Sequence, residues 1–243
     1  MNRNSANLKP DWRRWWMVVA YAAAMAWVES ATVYYLRSMI GRIEPHQSNP
    51  LPDVGGFARA ELIREFATLV MLFAVGALAG RSWRERIGYS AIAFGLWDIL
   101  YYVFLRMMCH WPHSLLDWDI LFLLPLPWWG PVLSPMLIAF LMMVWGTLAS
   151  QYEDLSASLE RNWRPWLLNF LGMALALYVF MADTIAAARG GLVAIRNVLP
   201  QRFHWPLFGV ALVLMSAPVW AECRRFRARA PAKSDAVTAP EAI

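Results

Sequence analysis

Long apolar runs alternate with short polar breaks along this chain, and six of the runs are long enough to cross a bilayer, which takes about 20 mostly apolar residues. They cover residues 15–36, 58–80, 87–105, 132–149, 166–188 and 205–221. Within them the charged interruptions are few. Glu29 breaks the first, Asp98 the third and Asp183 the fifth, while the fourth and sixth carry no charge until their ends. The second is polar at its start and apolar from Phe66 onward. Helices fit these runs because a lipid core offers no partners to open backbone groups, and there is no series of alternating ten-residue strands such as a membrane barrel needs. The pattern predicts an all-α, polytopic transmembrane helix bundle of six spans.

Composition agrees with that class. Hydrophobic residues make up 59% and charged residues 16% of the 243 positions, well below the roughly quarter charged of a soluble domain. Lys and Arg are distributed unevenly around the runs. With the N-terminus inside, fourteen fall on the cytoplasmic side and seven outside, so the positive-inside rule places both termini in the cytoplasm. That bias and a basic C-terminal tail account for the net charge of +5 without a nucleic-acid partner. Twelve of the fifteen tryptophans, among them Trp12, Trp83, Trp111, Trp129 and Trp205, lie at or just beyond run ends, as an interfacial belt requires. Arg13 and Arg14 precede an Ala-rich stretch that resembles a signal-peptide cleavage site, but the apolar run continues to Leu36, so an uncleaved first helix is expected. Cys109 and Cys223 fall on opposite sides and are expected to remain unpaired.

One domain is expected at 11–222, between a polar tail at 1–10 and a basic, then disordered, tail at 223–243. The short turn at Arg81–Arg86 makes the second and third helices antiparallel neighbours. Between the third and fourth lies a Pro/Trp-rich segment with Pro125, Pro127 and Pro131, too short to span. It reads as a re-entrant or interfacial stretch.

The buried acids are the candidate chemistry. A charge at mid-bilayer costs at least about 2.5–3.5 kcal/mol, so each must turn inward. Counted from the outer ends at about 1.5 Å per residue, Glu29, Glu65 and Asp98 lie roughly 10 Å deep, with Glu61 and Asp183 shallower. Glu61, Arg64, Glu65 and Thr68 share one helical stripe, as do Asp98, Tyr101, Tyr102 and Leu105. Glu29, Arg64, Glu65 and Asp98 are expected to form one contiguous cluster with Arg64 as its hub, bridging Glu65, Glu29 or Asp98 through a planar fork that can serve two carboxylates at once. Two readings follow. An ion-pair network would hold the helices together as in a structural or accessory subunit. Alternatively, five acids against one Arg leave carboxylates that must be protonated, share protons or bind a cation, giving a proton- or metal-handling site. A small transporter is a third reading, and with six helices and no internal repeat it would need a homo-oligomer. All four histidines sit on outer loops. His110 and His113, with Asp117 and Asp119, are the candidate ligands of a transition metal. Walker, Gly-x-Ser-x-Gly and His-Glu-x-x-His motifs are missing, and no Lys lies within a run to carry a retinal Schiff base.

Val28-Glu29, Tyr34-Tyr35-Leu36-Arg37, Glu61-x-x-Arg64-Glu65, Trp97-Asp98-Ile99-x-Tyr101-Tyr102, Leu116-Asp117-Trp118-Asp119 and Pro127-Trp128-Trp129-Gly130-Pro131 together resemble a family of bacterial multi-pass membrane proteins with no assigned activity. The resemblance covers 15–145. It implies a bundle of about six helices in a bacterial inner membrane and carries no function with it.

Reporter fusions after Ser48, Ser114 and Gln201 are expected to report outside, and fusions after Arg84 and Asp154 inside. An outside C-terminus would overturn the orientation.

Overall fold

A computed structural model of the chain describes residues 10–47, 56–123, 126–152 and 163–229. The expected disordered tails, the Asn49–Pro52 turn and Pro125 lie outside the described residues. Ten elements follow in order: α1 (Trp12–Met39), α2 (Gly56–Ala79), α3 (Trp83–Cys109), β1 (Trp118–Phe122), β2 (Trp128–Pro131), α4 (Leu133–Gln151), α5 (Arg164–Ala187), α6 (Gly191–Arg196), α7 (Trp205–Met215) and α8 (Ala217–Arg229). Six helical segments are long and apolar enough to cross a membrane, the sixth made of α7 together with the first part of α8.

Helix ends follow local chemistry. The Asp11 side chain accepts from the Arg14 amide at the start of α1, and the Ser82 hydroxyl accepts from the Glu85 amide at the start of α3. Glu85 in turn accepts from the Arg81 amide at 2.7 Å, so two free helix-start donors are satisfied. α3 closes on His110, which adopts the left-handed conformation with φ 60°.

α3 is the centre of the bundle. It packs on α1 and α2 on one side and on α4 on the other, and α4 carries the contact onward to α7 and α8, on which α5 rests. The α3–α4 seam is close because glycines face backbone across it. A Cβ on Gly146 would collide with the Gly88 carbonyl, and one on Gly95 with the carbonyl of Ala139. Small residues that let backbones approach are how helices associate where lipid removes the hydrophobic drive. α2 shows the same inversion on its two faces. Ile63, Phe66, Val70, Phe73 and Leu78 are exposed on its outside, whereas Thr68 is buried within.

The structure corrects the all-α expectation at the Pro/Trp segment. β1 and β2 form an antiparallel hairpin, pairing Trp118 with Pro131, Asp119 with Gly130 and Ile120 with Trp129, with a bulge before Phe122. Prolines are tolerated there because a two-stranded sheet has an open edge on each strand. The end of α3 and the loops beside the hairpin share a small core, in which Tyr102, Leu105, Trp111 and Val132 are buried. Trp111 and Trp129 are only 2% and 3% exposed, so these two pack inward instead of joining an interfacial belt. The last run is also not one helix. Pro218 has no amide to give and its ring crowds the carbonyl four residues back, and the helix breaks at Ser216, whose hydroxyl bonds to the Val213 carbonyl. α8 then runs on to Arg229, past the expected end of the domain at 222. A turn of 3₁₀ helix and α6 occupy the loop after α5, where no element was expected.

Gly146→Ala is expected to lower the thermal unfolding midpoint in detergent, with a cost of about 1–3 kcal/mol from overpacking. Gly209→Ala, where a Cβ meets nothing within 4 Å, is the control and should be neutral or mildly stabilising. Equal effects of the two would refute the close seam.

Candidate functional site

α1, α2 and α3 together with α5 and α8 line a half-open cavity of about 1040 Å³, to which α4 and the hairpin also contribute walls. That is at the upper end of the ~300–1,000 Å³ typical of ligand pockets. Its lining is sharply divided. One end gathers Glu29 and Arg37 from α1, Glu61, Arg64, Glu65 and Thr68 from α2, Asp98, Tyr101 and Tyr102 from α3, Asp119 from β1, and Arg42. Apart from Asn169, whose amide donates to the Met215 carbonyl at 3.0 Å, the remainder is aromatic and aliphatic, including Trp145, Trp166, Phe170, Met173, Leu177 and Phe180.

Helix periodicity places the α2 group. Glu61, Arg64, Glu65 and Thr68 fall on the single face that the outward apolar stripe leaves over. Arg64 reaches Glu29 of α1 with one nitrogen and is held by Glu61 on its own helix, its Nε lying 2.9 Å from Glu61 Oε2. Thr68 donates to the other oxygen of Glu29 at 3.2 Å. The hub expectation is therefore corrected in part. Arg64 forks between Glu29 and Glu61, and among the described residues neither Asp98 nor Glu65 forms a salt bridge with it. Glu65 instead accepts from the Leu123 amide at 3.4 Å, a long bond to the end of β1. Asp98 lines the cavity with its Oδ2 buried and without a hydrogen-bond partner among the described residues.

A second ion pair at this end was not foreseen. Arg37, in the last turn of α1, donates to Asp119 at 2.7 Å; their side chains are 13% and 1% exposed. The Arg37 guanidinium also lies 4.5 Å from the centre of the Trp111 ring. Burial pushes the Asp119 carboxyl above the ordinary carboxylate range, and the charge and hydrogen bond of Arg37 oppose that rise. Arg42 donates to the carbonyls of Pro45 and Gln47, and burial lowers its pKa. Signals for Arg37 existed in the sequence only as one more positive charge at a helix end. At the other end of the bundle, Arg84 of α3 pairs at 2.7 Å with the wholly buried Glu222 of α8, another link hidden among flanking charges.

Of the site residues expected from sequence, Glu29, Glu61, Arg64, Glu65, Asp98, Tyr101 and Tyr102 all line this cavity. Asp183 does not; it is exposed on α5 and stands apart from the others. The metal-ligand candidates are dispersed. His110 caps α3, His113 lies 3.2 Å from Glu44, Asp117 accepts from the His113 and Ser114 amides, and Asp119 serves Arg37. Among the described residues no three His, Cys, Asp or Glu are grouped to hold a metal ion. His46 bonds to the Pro200 carbonyl at 2.7 Å and stacks on Trp118, tying the loop after α1 to the loop before α7. Cys109 and Cys223 are both free.

No protein-family model matches the chain, and no curated protein or solved structure shows significant similarity to it.

Arg37→Ala should destabilise the protein by about 3–5 kcal/mol, because it leaves the Asp119 carboxylate buried without a cation. The double variant Arg37→Met with Asp119→Leu should recover most of that loss, while Asp183→Ala should change stability by no more than about 0.5 kcal/mol. Chemical unfolding in mixed micelles measures all three.

Proposed function

We propose that this chain is an integral protein of a bacterial inner membrane, with both termini cytoplasmic, that receives an amphiphilic molecule in the cavity beneath the hairpin. The divided lining of that cavity carries the reading. A soluble polar ligand would leave the aromatic and aliphatic walls bare, and a simple hydrocarbon would strand the charges at the other end. An amphiphile satisfies both, its headgroup among the charged side chains and its chain along α4 and α5. The bilayer setting is supported by α2, which exposes Ile63, Phe66, Val70 and Phe73 on its outside and turns Glu61, Arg64 and Glu65 into the cavity. The orientation rests on the Lys and Arg distribution.

A second reading has its own observation. Arg64 joins α1 to α2 through Glu29, so part of the charge serves helix packing. The two readings separate at Leu177, an apolar residue of the cavity lining that belongs to no ion pair among the described residues. Native mass spectrometry of protein purified from bacterial membranes is expected to show one retained amphiphile per chain. Leu177→Trp, which narrows the apolar part of the cavity, should weaken its retention while keeping the unfolding midpoint. Protein free of any adduct, or an adduct unaffected by the narrowing substitution, would leave only the packing network.

A further inference from the structure

We infer, building on the reading of the cavity as an amphiphile site, that the headgroup it takes is an organic ammonium, held by Asp98 and Glu65 beside Trp97 and Tyr101. Charge accounting at the polar end leads there. Five carboxylates line it, Glu29, Glu61, Glu65, Asp98 and Asp119, against three guanidiniums. Arg64 is engaged by Glu29 and Glu61, Arg37 by Asp119, and Arg42 by two backbone carbonyls. Among the described residues Asp98 and Glu65 are left without a salt-bridge partner. An anionic headgroup would meet cations already occupied and acids already in surplus. A cationic one meets Asp98 and Glu65, the two acids of this end that form no salt bridge among the described residues.

The buried Oδ2 of Asp98 is a second, independent observation. It has no hydrogen-bond partner among the described residues, and leaving a buried charged oxygen unmatched is costly. Aromatic rings complete the environment. Trp97 and Tyr101 flank Asp98 on α3 and stack with centroids 6.3 Å apart, and both line the cavity. Ring faces attract ammonium groups within about 6 Å of their centroids, and a carboxylate among aromatic faces is how quaternary ammonium ligands are recognised. Trp97 also shows a buried indole N–H without an acceptor, so the ring is held by packing and not by a polar bond.

The test compares three twelve-carbon probes on the full chain in maltoside micelles: dodecyltrimethylammonium, laurate and monolaurin. Binding is read by native mass spectrometry, with Asp183→Asn as the control for micelle charge. The ammonium probe is expected to bind at least tenfold tighter than laurate. Asp98→Asn should abolish that preference while monolaurin binding persists, Glu65→Gln should reduce it, and Asp98→Glu should retain it. Each variant is checked by its unfolding midpoint, and the wild-type preference stands as a readout that needs no variant. Equal binding of all three probes, a preference for laurate, or an unchanged preference in a folded Asp98→Asn protein would overturn the ammonium inference and leave the amphiphile reading intact. No binding of any probe would overturn both.

Discussion

Backbone meets backbone where α3 crosses α4, and the two groups of helices are joined along that seam. α1 and α2 lean on one side of α3, and α5 follows α7 and α8 on the far side of α4. In a lipid surround there is no hydrophobic gain from bringing two apolar helices together, so association depends on close fit and on polar links. Gly88, Gly95 and Gly146 provide the fit. The space left in the angle between the two groups is the cavity, and its shape is set by how closely α3 and α4 can approach. Packing and site are in this sense one feature.

Charge is then arranged around that space by cost. Arg64 with Glu29 and Glu61, Arg37 with Asp119, and Arg84 with Glu222 each put a guanidinium against a carboxylate away from the outer face of the bundle. Arginine suits this role because its fork can hold two oxygens and stays ionised. The hairpin shares in it: Asp119 anchors β1 to α1, and the Leu123 amide meets Glu65 of α2. An irregular segment is thereby fixed to two helices at the charged end of the cavity.

What could be read from the sequence follows from the same costs. Glu29, Arg64 and Asp98 announced themselves because each interrupts an apolar run, where a charge has no other reason to be. Arg37 gave no such sign, since charges at helix ends are ordinary, and Asp119 stood out only as a candidate metal ligand, because nothing local marks a loop carboxylate as one buried against a distant arginine. An arginine among several acids does not show which of them it holds, and Arg64 forks between Glu29 and Glu61, one turn before it, and forms no salt bridge with Glu65 or Asp98 among the described residues. The hairpin escaped notice because five residues of β1 give too little alternation to separate from a short apolar run, and its prolines argued against any strand. Asp183 looked like its neighbours on other helices, but depth alone does not fix the face a residue occupies. The break at Ser216 was readable in Pro218, which an otherwise uniform apolar run obscured.

The Arg37–Asp119 pair spans 82 residues of sequence. A ribosome adding about 5–20 residues per second takes roughly 4–16 s to deliver the second member after the first. For that interval α1 ends in an arginine whose carboxylate does not yet exist, and α2 and α3 are made in the meantime. The final closure at this end of the bundle therefore waits for a segment that is neither helix nor span. The hairpin is the clasp that the nascent chain fastens last among its first three helices.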